Sequence, residues 1–137
     1  MALTIKEALQ QGVEAHKAGQ LKEADRMYTA ILKTQPQHSD ANHNLGILAL
    51  QLGKTTEAIP FFEAALKGNA TVEQYWLSYL KALLKLDRLE EAQQAVEGAH
   101  WWKIRGPKLY SLEKQLKQKL AERDSEKSSS AQAPSPE

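Results

Sequence analysis

The sequence contains no cysteine. That excludes a disulfide framework and any thiolate metal site, and it fits a reducing compartment. It also lacks a charge imbalance: 18 Lys and Arg face 17 Asp and Glu, for a formal net charge of +1. Nucleic-acid binders carry a basic excess on one face, and the bulk balance shows none. No uninterrupted apolar run approaches the roughly 18 residues that a membrane span needs. The opening stretch Met1-Ala2-Leu3-Thr4-Ile5-Lys6-Glu7 is amphipathic and acidic early, without the apolar run of a signal peptide. The expectation is a soluble cytoplasmic protein with no nucleic-acid and no membrane partner.

Signatures of chemistry are equally sparse. His16, His38, His43 and His100 form no pair at a spacing of three or four, whereas zinc needs convergent ligands at fixed geometry. Glu90 and Glu91 are adjacent at a helix start, where they complement the helix dipole. There is no phosphate-cradling glycine loop and no strand-to-helix nucleophile elbow. No catalytic, metal-ligating or cofactor-binding residue is expected, and the chain does not read as an enzyme.

What the chain does have is internal repetition, which takes precedence over any other fold signal. Gly12 and Gly46 stand 34 residues apart, as do Gly19 and Gly53, Ala15 and Ala49, and Leu32 and Leu66. Ala24, Ala58 and Ala92 extend the series to three members, each preceded by Glu23, Glu57 or Glu91. The units run over 5–38, 39–72 and 73–106. Each holds two periodic runs broken by a turn, at Gly19 and at Gly53 in the first two. Glycine tolerates such a turn at low steric cost. Gly12, Gly46 and the alanines are small where two helices approach, and Tyr28 and Phe62 are expected to fill the gap to the neighbouring repeat. One hairpin cannot bury its apolar face alone, so stacking supplies the core. Thr4 with Glu7 and Thr71 with Gln74 match the capping box. Ser39 or Asp40 suits a cap for the third helix. Pro36 ends the second helix, and Pro60 falls in early turns of the fourth, where a missing N–H costs least.

The pattern resembles the tetratricopeptide repeat (TPR) family. Gly12, Gly19, Ala24, Tyr28 and Pro36 carry the match in the first unit, and Leu45, Gly46, Gly53, Ala58, Phe62 and Ala65 in the second. Trp76, Ala92 and Ala99 carry it in the third, which departs from the pattern at Leu80, Asp87 and Ile104. Leu109, Leu112, Leu116 and Leu120 follow Pro107 at helical spacing and look like the solvating helix that ends such arrays. The resemblance implies an all-α solenoid of seven helices: three hairpins plus a cap over 107–123, together a domain over 1–123. Residues 124–137, rich in Ser, Ala and Pro, read as a disordered tail or linker.

The resemblance also implies a function, a scaffold that binds a peptide or protein segment in its concave groove. First helices of the hairpins line that face in this family. The corresponding residues here are Leu9, Val13, His16 and Lys17, then His43, Asn44 and Ile47, then Leu77, Lys81, Leu84 and Lys85. Apolar side chains flanked by lysines suit a peptide with apolar anchors and acidic character. Chaperone-binding members clamp a terminal carboxylate with Lys, Asn and Arg. The matching positions here read Leu9, Val13, Asn44, Gln74 and Ser78, so only Asn44 agrees and a chaperone tail is not the expected ligand. Trp101 and Trp102 offer a secondary interface, since Trp is enriched in hot spots; the bland reading has one ring packing the last hairpin on the cap. Two alternatives remain: a substrate-recognition module of a larger glycosyltransferase- or sulfotransferase-type enzyme, as similar bacterial segments are, or a weak homo-oligomer built through the terminal repeat.

Overall fold

The computed structural model describes residues 3–131, with side chains through Ser128. Among them the chain forms α1 (Ile5–Lys17), α2 (Leu21–Thr34), α3 (Ser39–Gln51), α4 (Thr55–Gly68), α5 (Glu73–Lys85), α6 (Leu89–Trp101) and α7 (Pro107–Ala131). Each odd helix pairs with the even helix that follows, and α7 packs on both α5 and α6. Contacts also join α1 to α3 and α3 to α5. The odd helices therefore form one continuous row, and α7 occupies the place that the first helix of a fourth hairpin would take. This is an all-α solenoid of three hairpins and a cap.

Local chemistry explains most of the boundaries. The capping box forms at α1, with Thr4 accepting from the Glu7 N–H and Glu7 accepting from the Thr4 N–H. The cap of α3 is His38, whose Nδ1 accepts from the Ala41 N–H at 3.1 Å, in place of the expected Ser39 or Asp40. No box forms at α5 either. There the cap is Val72, because the Thr71 N–H and hydroxyl both turn back to Asn69 Oδ1. Pro36 lies just past the end of α2. Pro60 sits deeper in α4 than the first turn, so it removes one intrahelical bond; Pro60 and Thr56 are both exposed, on the solvent side of the helix.

The turn inside each hairpin uses the same backbone conformation three times. Gly19, Gly53 and Asp87 have φ of 78°, 76° and 54°. Asp is among the few L-residues that tolerate this left-handed region. Lys119 of α7 meets Asp87 Oδ1 at 3.0 Å, so the departure from glycine also ties the cap to the last hairpin.

Glycine and aromatic residues set the spacing within hairpins. A Cβ on Gly12 would overlap the Tyr28 ring, and one on Gly46 would overlap Phe62. These rings thus fill the interior of their own hairpin as well as its outer boundary. The third hairpin reverses the arrangement. Leu80 replaces the small residue of the first helix, and Trp76 lies against Gly98 of the second, where a Cβ would stand 2.8 Å from the indole. The Trp76 Nε1–H donates to the Ala70 carbonyl at 2.7 Å, anchoring the entry to α5.

The cap is longer than the leucine pattern implied. Leu109, Leu112 and Leu116 are buried, and Arg123 pairs with Glu90. Beyond Arg123 the helix continues to Ala131. No Gly or Pro interrupts it between Lys108 and Ala131. Residues 132–137 of the expected tail lie outside the described residues.

Candidate functional site

The inner row of α1, α3 and α5 presents the face on which the sequence places its groove. Side chains one repeat apart meet across it. His16 Nε2 lies 2.6 Å from Gln51 Oε1, joining α1 to α3. His43 Nε2 lies 2.8 Å from Ser78 Oγ, and the Tyr75 hydroxyl donates to Asp40, joining α3 to α5. Each pair is separated by 35 residues, one more than the repeat period. The extra residue is the offset between neighbouring first helices.

Between α1 and α3 the face opens into a recess of about 480 Å³. It is lined by Val13, His16, Lys17, Asn44 and Ile47, all expected in the groove, together with Tyr28 and Gln51. Val13 and Ile47 are half-buried and supply apolar wall; Lys17 is exposed and supplies charge. Asn44 offers both a donor and an acceptor. Burial pushes the Tyr28 phenol up from its ordinary value, and a hydrogen bond with Asn44 opposes that shift. The phenol therefore stays neutral in the wall of the recess. Leu9 is half-buried and packs against the core on either side of the first hairpin.

The other expected groove residues divide. Lys81 and Lys85 are exposed on α5 but do not line this recess. Leu77 and Leu84 are 1% and 3% exposed and belong to the core cluster that contains Leu109, Leu112 and Leu116 of α7. The cap docks on α5 and completes that core. His43 is buried too, stacked at 4.9 Å on Tyr75 and 5.6 Å from Phe62 between ring centroids. Burial lowers its basicity, while Asn44 and the nearby Asp40 carboxylate act in the opposite direction. It is a core imidazole hydrogen-bonded to Ser78.

Periodicity alone could not find Tyr28 as a wall of the recess, because its register marks a core ring. The four histidines all have local partners: Gln51 for His16, the Ala41 N–H for His38, Ser78 for His43, and Glu113 with Arg105 for His100. Among the described residues no three His, Asp or Glu side chains converge as a metal-ligand set. No described helix is long and apolar enough to cross a membrane.

Trp101 and Trp102 stand at the end of α6, 81% and 49% exposed. Neither ring is the seal between the last hairpin and the cap. Ile104, buried between α6 and α7, takes that place. Trp102 borders a second recess of about 450 Å³ with Leu66, Ala70, Trp76 and Tyr79. The Tyr79 phenol is pushed up to about 12 by burial and then by the Glu63 and Glu91 carboxylates. Glu91 itself is held by Arg88, with contacts of 2.6 and 2.7 Å.

Comparison with known proteins agrees with this fold. Residues 9–73 match the family model described as tetratricopeptide repeat. No curated protein matches the chain in sequence. Among solved structures, the first TPR domain of human RPAP3 is similar with a TM-score of 0.76 and 20% identity, over 88% of this chain and 95% of that one. The TPR2B domain of yeast Sti1, solved as a pHsp70 complex, gives 0.72 at 16% identity over 86% and 97%. A tetratricopeptide repeat protein from Parabacteroides merdae gives 0.77 at 18% identity over 88% of this chain and 47% of its own.

Proposed function

We propose, from the premise that this chain belongs to the tetratricopeptide repeat family, that it is a binding scaffold whose inner face holds a peptide segment of a protein partner. The observation that carries this reading is the recess between α1 and α3. Its lining joins two half-buried aliphatic side chains, Val13 and Ile47, to the polar Asn44, His16 and Gln51. A few placed donors among apolar walls are what fix the orientation of a bound chain. Lys17 at the edge favours a carboxylate beside the apolar anchor, and Lys81 with Lys85 continue the positive character along α5.

The Sti1 structure raises a chaperone tail as ligand. The residues of this chain do not support that choice. At the positions where carboxylate-clamping members carry Lys, Asn and Arg, this chain has Leu9, Val13, Gln74 and Ser78, with Asn44 the lone agreement. Gln74 Nε2 donates to Ser78 Oγ at 3.2 Å, and Ser78 is buried against His43. An acidic peptide with internal apolar anchors fits better than a free terminal carboxylate.

Amide NMR titration tests this directly. Two peptides of equal length are compared, one with Leu flanked by Glu and one ending in a chaperone-like acidic terminus. Saturable shifts clustered on Val13, Asn44 and Ile47 with the first peptide are expected. Shifts confined to α2, α4 and α6 would overturn the inner-face reading, and a stronger response to the free terminus would overturn the ligand class.

A further inference from the structure

The bulk balance of charge conceals a local excess. Residues 101–120 hold six Lys and Arg against one carboxylate, Glu113. The rest of the chain holds twelve against sixteen. The single carboxylate is already occupied, since His100 Nε2 meets Glu113 and Arg105 meets His100. Lys119 is paired with Asp87. Lys103, Lys108, Lys114 and Lys117 are exposed and, among the described residues, make no ion pair.

The same segment carries three of the five large apolar side chains that are exposed among the described residues. Trp101, Trp102 and Tyr110 are 81%, 49% and 61% exposed. A short loop joins α6 to α7, so the end of α6 and the start of α7 lie at one end of the molecule. On α7, Tyr110, Lys114 and Lys117 follow one helical stripe, with Lys114 Nζ 5.6 Å from the Tyr110 ring centroid. Their neighbours on that surface are Ser111, Gln115 and Gln118.

The chemistry of this surface separates two classes of anionic partner. It offers rings and hydrogen-bond donors but no aliphatic row, so a partner helix would find little to bury against. Phosphates need donors and positive charge, and unpaired bases need open aromatic faces. We propose that the outer face of the α6–α7 junction binds single-stranded nucleic acid, with Trp101 and Tyr110 stacking on bases and Lys103, Lys114 and Lys117 meeting phosphates. This surface is distinct from the inner face and stands or falls independently of the peptide reading.

Fluorescence anisotropy with a labelled oligothymidylate of about twelve nucleotides, within the usual site size, tests the proposal on the full chain. Saturable binding at low salt is expected, weakening with a log–log slope of about −2 if three phosphates are met. Lys114→Gln with Lys117→Gln should reduce that slope to about a third. Trp101→Leu or Tyr110→Leu should weaken binding about fivefold or more with the slope unchanged, and Trp101→Phe should restore much of the loss. All these positions are exposed, and unchanged thermal melts will show that each variant is folded. Absence of saturable binding would overturn the proposal. So would loss of binding in Lys81→Glu with Lys85→Glu alone. Equal affinity for polyglutamate, with the same dependence on Trp101, would make the surface a protein-docking site and overturn it as well.

Discussion

Gly46 of α3 lies directly against the ring of Phe62 in α4, so close that a Cβ at residue 46 would overlap it. Phe62 is fully buried. Gly53 differs in kind: nothing stands within 4 Å of its missing Cβ, but its φ is +76°. Gly46→Leu is therefore expected to be the more destabilising change, at or above the ~1–3 kcal/mol of an overpacked core. Gly53→Ala should cost about 1 kcal/mol through its left-handed backbone. Thermal melts of the two variants decide it, and equal shifts would defeat the close-contact argument.

The reversed packing of the third hairpin makes a second prediction. Gly98→Ala should be strongly destabilising in the native background, because the added methyl meets the Trp76 indole. In a Trp76→Leu background the same change should be close to neutral. Trp76→Leu alone forfeits the bond to the Ala70 carbonyl and should cost about 1 kcal/mol for that bond, besides lost packing. A double-mutant cycle by denaturant unfolding measures the coupling. Additive effects would show that Gly98 and Trp76 do not depend on each other.

The repeat step made the hairpins, their order and the cap legible, because small residues at a fixed period mark where helices touch. Exchanging large for small kept the third hairpin's packing while erasing its signature, so Leu80 read as a defect and Gly98 went unnoticed. Val13, His16, Lys17, Asn44 and Ile47 line one recess between α1 and α3. Leu77 and Leu84 do not, since register tells which way a side chain faces its own row, whereas their burial accompanies the docking of α7. The capping box at Thr71 also failed to form, because the Thr71 N–H that Gln74 would take is given to Asn69 Oδ1 and the helix is capped one residue later, at Val72.

Burial gives His43 a consequence for stability. Its imidazole is held neutral in the fold, below the ordinary value of 6.5, against Tyr75, Phe62 and Ser78, with Asp40 and Asn44 limiting the shift. In the unfolded chain it takes up a proton near 6.5. Below that pH the unfolded state binds more protons, so stability present at pH 7 and above is lost as pH falls toward the folded value. The slope from this one group is at most about 1.4 kcal/mol per pH unit. His43→Gln should flatten the dependence between about pH 7 and pH 5. Parallel urea titrations across that range provide the measurement; an unchanged slope in the variant would remove His43 as its source.

Charge reversal distinguishes the parts of the inner face. Lys17 borders the recess with Val13, Asn44 and Ile47, whereas Lys81 and Lys85 lie outside it on α5. Lys17→Glu should therefore weaken an acidic, Leu-containing peptide more than Lys81→Glu or Lys85→Glu does alone. The double variant Lys81→Glu with Lys85→Glu should act only on peptides long enough to reach α5. Every such effect should shrink as salt rises, because exposed charges are screened over about 10 Å at 0.1 M. Folding should survive in all of them, since exposed lysines contribute little to stability. Calorimetric titration at two salt concentrations, with a short and a long peptide, separates these outcomes. If Lys17→Glu retains full affinity while a Trp101 or Trp102 variant loses it, peptide binding belongs to the far end of α6 and the recess between α1 and α3 is not the ligand site.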